Sequence, residues 1–174
     1  MAKRERRAKP VRGADIIRAI KDAGVEFVVA VPDIVTSEHV LWPISRDREL
    51  KLVRICKEDE GISICAALSF CDRRALLLIQ NTGLFDSVNA IRAIAVEYGT
   101  PVCMMVGLQG KEPDRLPGES AKYGVRVVEP LLDALGVDHH LLQSDNDVGK
   151  IVAAIDGAYA RQRPVVMLVG RSPS

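Results

Sequence analysis

Apolar and polar positions along the chain fall into two alternating periods. In "GADIIRAIKDAG" Ile16, Ile17 and Ile20 share one helical face, and Gly24 ends the run before the short β-rich segment "VEFVVAVP". The alternation continues: "LKLVRIC" reads as a strand, the small-residue run from Gly61 as a helix, "ALLLIQ" as a strand and "FDSVNAIRAIAVEYG" as a helix. "PVCMMVG" is the next strand. A polar segment with Pro and Gly, from Gln109 to Gly118, precedes a helix ending near Gly136, the short edge strand "HHLL", the helix "NDVGKIVAAIDGAYARQ" and a last strand, "PVVMLVG". Strands that are unbroken apolar runs need cover on both faces, which the intervening helices supply. The expected fold is therefore α/β: a mainly parallel six-stranded sheet with helices on both faces.

Such sheets carry ligand groups in the loops beyond the carboxyl ends of their strands. Four of these loops are polar: Pro32-Asp33, the acids Glu58, Asp59 and Glu60, the run Gln80-Asn81-Thr82-Gly83, and Gly107 to Gly110. No G-x-G-x-x-G, Walker A, G-x-S-x-G or H-E-x-x-H pattern occurs, so a site has to be assembled from strand-end carboxylates and amides. Each candidate has two readings. The acids before the apolar run from Ile62 to Phe70 either open a helix, where carboxylates meet free N–H groups and the positive dipole end, or place Glu60 in a dry site for chemistry. Asp33 is a turn or N-cap residue or a proton-transfer group, and residues 80–83 are a polar turn or a ligand loop.

Composition narrows the picture. At 174 residues, one domain over 13–174 is expected, after a disordered basic tail over 1–12 that carries Lys3, Arg4, Arg6, Arg7, Lys9 and Arg12. An apolar share of 48% and a mean hydropathy of +0.08 exceed what most solvated domains need, so some apolar surface is expected against another chain. A formal charge of +1 argues against general attraction to nucleic acid or membrane. With no signal-peptide pattern and no apolar stretch of about 18 residues, the expected compartment is the cytoplasm. Cys56, Cys65, Cys71 and Cys103 lack metal spacing and read as reduced core residues.

"EDEGISICAALSF" followed by "ALLLIQNTGLFDSVNAI" resembles the pyrimidine-binding half of thiamine diphosphate enzymes, most closely the decarboxylases of sulfopyruvate and phosphonopyruvate. The likeness covers 25–106 well, through "VPD", Glu60-Gly61, "QNTGL" and "VNAI", and the rest of the chain more loosely. It implies a pyrimidine-binding alpha subunit in which Glu60 hydrogen-bonds N1′ of the aminopyrimidine, so that the ring's imino nitrogen takes the proton from C2 of the thiazolium. It implies further that Asp33 lies near the reacting carbon. Asn81, Thr82 and Gly83 would line the cofactor, and Gln80 and Asn81 would orient the substrate carboxylate beside Asp33. The small residues after Gly61 would let the helix start approach the cofactor.

The chain departs from the pattern at Phe85 and Asp86, and again at Gln109 and Ser120. At the latter pair the family tends to carry an Arg and a His suited to a sulfonate or phosphonate, and Lys111 or Arg115 are the local substitutes. The pattern gives His139 and His140 no role, and His39 and Trp42 read as partly buried packing. These enzymes hold Mg²⁺ and the diphosphate through a G-D-G…N segment on a second domain, and none is found here. The resemblance thus implies a beta subunit carrying the metal end, in an α2β2 assembly. The alternatives are a non-catalytic α/β ligand-binding or regulatory subunit and a flavodoxin-like nucleotide binder, the latter without a phosphate loop.

Overall fold

A computed structural model describes residues 9–174. Its centre is a six-stranded sheet of β1 (Phe27–Ala30), β2 (Lys51–Arg54), β3 (Ala75–Gln80), β4 (Cys103–Gly107), β5 (Asp138–Leu142) and β6 (Val165–Val169), in the order β2-β1-β3-β4-β6-β5. Every pairing is parallel, so the sheet is wholly rather than mainly parallel, and β5 lies at the edge as its sequence suggested. Both strand faces are apolar because both are covered. Val28, Leu76, Leu78 and Met105 pack with Ile16, Ile20 and Ile155 on one side. Val29, Leu77, Ile79 and Met104 pack with Ile62, Leu84 and Leu132 on the other.

Among the described residues the α-helices are α1 (Gly13–Asp22), α2 (Trp42–Ile44), α3 (Glu58–Phe70), α4 (Asn81–Asp86), α5 (Val88–Ala90), α6 (Tyr123–Arg126), α7 (Val128–Leu135) and α8 (Gly149–Arg161). Helix α1 starts with Asp15 in its first turn and ends with Lys21 in its last, each at the dipole end that favours its charge. Helix α7 stops at Gly136, whose φ of 67° is left-handed and suits a residue without a Cβ.

Several expectations shift at element boundaries. Helix α3 begins at Glu58 rather than Gly61, so all three acids form its first turn. Gly61 is buried toward the sheet, where a methyl would meet the side chains of Leu77 and Ile55; it serves helix–sheet packing rather than approach to a ligand. The helix expected from Phe85 starts at Asn81 and is interrupted at Ser87, whose Oγ donates to the Gly83 carbonyl at 2.7 Å, before wider π-type turns over Ile91–Glu97.

Trp42 is exposed, not partly buried, while His39 is half-buried. Cys65 and Cys103 are buried as expected, but Cys56 and Cys71 are exposed, because they fall just outside β2 and α3 where the apolar cover ends. The tail boundary at residue 12 also moves. Val11 is buried in the core and its carbonyl accepts the Ser174 N–H at 3.0 Å, whereas 1–8 lie outside the described residues.

Candidate functional site

The chain leaves β1 toward one face of the sheet and β3 toward the other, although the two strands are neighbours. Their carboxyl ends therefore diverge and open a crevice at a topological switch point. Asp33, Gln80 and Asn81 lie on its rim. The loop after β1 leans across to β4, where a methyl on Gly107 would stand 2.8 Å from Val35 Cβ and 3.0 Å from Asp33 Oδ1. Glycine at 107 is what lets the Asp33 turn sit there.

Asp33 is buried, and both of its carboxylate oxygens accept hydrogen bonds from its own turn. Oδ1 accepts the N–H groups of Val35 at 2.5 Å and Thr36 at 2.8 Å, and Oδ2 accepts the Thr36 hydroxyl. The Asp33 N–H in turn donates to Ser37 Oγ at 3.0 Å. This is the turn arrangement an aspartate at that position favours.

At the end of β3, Gln80 Nε2 donates to Thr82 Oγ1 at 3.0 Å and to Gln109 Oε1 at 2.6 Å. Asn81, 4% exposed, accepts the Gln109 N–H through Oδ1 at 3.0 Å and donates from Nδ2 to the Gly124 carbonyl at 3.2 Å. One amide thus ties the ends of β3 and β4 to α6. Thr82 is exposed, and Gly83 is buried beneath the side chain of Glu58. The link from Asn81 to Gly124 spans 43 residues, and no local motif announces it.

Glu60 stands apart from this network. It is exposed, and among the described residues it takes no hydrogen bond or ion pair. The dry pocket expected around it is absent among the described residues. What lies beside it is the outer face of α3, where Ser63, Ala67 and Phe70 follow at helical spacing, all exposed, with Phe70 at 79%. From Gly61 to Phe70 the helix carries no charge. A helix apolar all round is ordinarily covered on every side.

The 109–122 segment is fastened internally. Ser120 is buried; its hydroxyl donates to Glu112 at 2.7 Å, and the Ala121 N–H donates to the same carboxylate at 3.0 Å. The Ser120 hydroxyl, followed by backbone N–H groups, holds the Glu112 pKa down at about 2. Lys111, 8% exposed, donates from Nζ to the Glu112 carbonyl at 2.9 Å, and burial pushes its pKa down. Arg115 is exposed. Of the four departures from the family pattern, Gln109 is paired with Gln80 and Ser120 with Glu112.

His139 sits on β5, far along the sheet from this crevice, and His140 follows it, its pKa lowered mainly by burial. Among the described residues no group of three or more His, Cys, Asp or Glu side chains is arranged to hold a metal ion, and no helix is long and apolar enough to cross a membrane.

The fold and crevice define a parallel α/β domain with a strand-end polar site and an exposed, uncharged helix face. Comparison with known proteins adds the particular likeness. The chain is 30% identical over 104 residues to sulfopyruvate decarboxylase subunit alpha of Methanococcus maripaludis, a stretch covering 60% of this chain and 62% of that subunit. It is 24% identical over 154 residues to the subunit of the same name from Methanocaldococcus jannaschii, covering 88% and 89%. In sequence the chain is thus like the alpha subunits of sulfopyruvate decarboxylase, although the first match spans less than two thirds of its relative. No family model matches. A 2-oxoglutarate:ferredoxin oxidoreductase from Magnetococcus marinus, solved with 2-oxoglutarate, coenzyme A and succinyl-CoA bound, shares the fold with a TM-score of 0.69 and 16% identity, over 95% of this chain and 30% of that one.

Proposed function

We propose that this chain is the pyrimidine-side alpha subunit of a thiamine diphosphate-dependent decarboxylase acting on a 2-oxo acid with an anionic tail, of the sulfopyruvate or phosphonopyruvate class. The observation that carries the proposal is Glu60, an unpaired carboxylate at the head of a charge-free helix face, in a fold whose strand ends open a crevice lined by Asp33, Gln80 and Asn81. A partner subunit laid along that face would supply the missing cover and exclude water from the carboxylate. Likeness to proteins called subunit alpha supports such a partner. In this reading the partner is a beta subunit that binds Mg²⁺ and the diphosphate, in an α2β2 assembly in the cytoplasm.

When bound, the cofactor supplies a nucleophilic carbon and a cationic ring that accepts the electrons released with carbon dioxide. Glu60 would hold a proton shared with N1′ of the aminopyrimidine. Desolvation under the partner makes that sharing favourable, because a dry carboxylate holds its proton more tightly. Thr82, exposed at the head of α4, would line the cofactor, and Asn81 and Gly83, both buried, would support that turn from beneath. Gln80 would orient the substrate carboxylate by turning its amide hydrogens away from Thr82 and Gln109, while Asn81, buried and bonded to Gln109 and Gly124, holds the strand end beneath it. Asp33, held by three donors, presents an oriented carboxylate near the reacting carbon and assists proton transfer there.

Glu60→Gln, assayed with the partner subunit, is expected to lower decarboxylation about 1,000-fold while leaving the fold intact. A Glu60→Gln enzyme of ordinary activity would refute the mechanism. The exposure of Glu60 also favours a second reading, a non-catalytic subunit that only binds a ligand or regulates a partner. Thiamine diphosphate uptake seen by calorimetry only in the mixture of subunits rules that reading out.

A further inference from the structure

The three acids at the head of α3 point three ways. Glu60 faces outward. Asp59 pairs with Lys57 at 3.1 Å, and the same ammonium reaches Asp86 of α4 at 3.4 Å. Glu58 lies over Gly83. A methyl at 83 would fall well inside van der Waals contact of Cγ, Cδ and Oε1 of Glu58, so the side chain rests on the bare Cα of that glycine. Gly83 is in ordinary right-handed helix, not among the positive-φ positions, so its backbone does not call for glycine. The space taken by Glu58 does. From its other side α4 is fixed by Asn81, which bonds Gln109 and Gly124, and by the Ser87 hydroxyl on the Gly83 carbonyl.

We propose that Glu58 is a positioning residue: seated on Gly83, it sets the separation between the first turns of α3 and α4, and thereby the place of Glu60 relative to Gln80 and Asn81. This rests on the functional reading above and adds to it a reason for two glutamates two positions apart. Successive helical positions project about 100° apart, so Glu58 and Glu60 face nearly opposite ways and one cannot do the work of the other. Glu58 acts by shape. It locks the cofactor-side turn to the helix that carries the reactive carboxylate.

The test compares Gly83→Ala, Glu58→Ala, Glu58→Gln and the double variant Glu58→Ala/Gly83→Ala. Two readouts are taken: the thermal midpoint of the chain alone, and thiamine diphosphate affinity with kcat and cofactor KM in the mixture with the partner subunit. Gly83→Ala is expected to weaken cofactor affinity about tenfold or more and to lower the midpoint by about 4 °C. The double variant recovers most of both, since the added methyl occupies the room the glutamate leaves. Glu58→Gln, of the same shape, restores what Glu58→Ala loses, and the loss appears in cofactor KM before kcat. A double variant no better than Gly83→Ala alone overturns the proposal, as does a Gly83→Ala chain unchanged in both readouts. If the wild-type mixture takes up no thiamine diphosphate, the functional reading and the positioning role fall together, and the midpoints still decide whether the Glu58–Gly83 contact exists.

Discussion

Replacing Gly107 with alanine perturbs the crevice at the point where the loop after β1 crosses the end of β4. The new Cβ would sit 2.8 Å from Val35 Cβ and 3.0 Å from Asp33 Oδ1. Val35 Cβ is attached directly to the backbone and cannot rotate away, so relief requires the 33–36 turn to move by about half an ångström or more. Overpacking of this kind costs about 1–3 kcal/mol. Asp33 stands to lose geometry in the bonds it accepts from Val35 and Thr36, each contributing about 1 kcal/mol. A net cost of about 2 kcal/mol corresponds to a midpoint lowered by about 4–8 °C in a chain of this length. Thermal unfolding followed by circular dichroism measures it. Gly118→Ala is the control: nothing lies within 4 Å of a methyl there, and its midpoint stays with the wild type. A Gly107→Ala chain melting within a degree of wild type would show that the Asp33 turn does not press on β4, and the account of the crevice would fail.

The clasp of Glu112 on Ser120 and Ala121 should depend on pH. Its pKa is depressed from 4.5 to about 2, so its contribution is fully present above the unfolded value and is lost as pH falls from about 4.5 through about 2. Hydrogen-exchange protection at residues 112–121, relative to the intrinsic rate at each pH, should fall across that window, and Glu112→Gln should abolish the dependence; unchanged protection down to pH 2 would contradict it. The four thiols should divide two and two. Burial raises both the Cys65 and the Cys103 pKa, the latter to about 12, while Cys56 and Cys71 are exposed. A thiol reagent should label two groups rapidly in the folded chain and four after denaturation, and rapid labelling of Cys65 would count against the packed interior.

The sheet was legible because β3, β4 and β6 are unbroken apolar runs, a pattern that only burial on both faces explains. The edge position of β5 was legible for the converse reason: its Asp138, His139 and His140 interrupt that pattern. Helix starts were less so. The apolar run of α3 begins at Ile62, yet the winding begins at Glu58, since acids complete a first turn without needing to be apolar. Residues 81–83 read as a turn by composition but wind as the opening of α4, held by the long-range bonds of Asn81 that no local period encodes. The rim residues of the crevice were foreseeable from strand-end position alone. The seat of Glu58 on Gly83 was not, because the acids and the glycine lie 25 residues apart and meet only after β3 has brought them together.

The two apolar faces of the sheet carry a cost for folding fidelity. In a strand with one wet side, sliding by a single residue would expose the whole oily set, and solvent would reject the error. Here a slip of β3 against β4 merely trades one greasy neighbour for another. Alignment has to be enforced at the strand tips, where Asn81 and Gln80 grip Gln109 and hold Gln80 opposite Gly107. The polar rim is therefore also the catch that tells two nearly equivalent pairings apart.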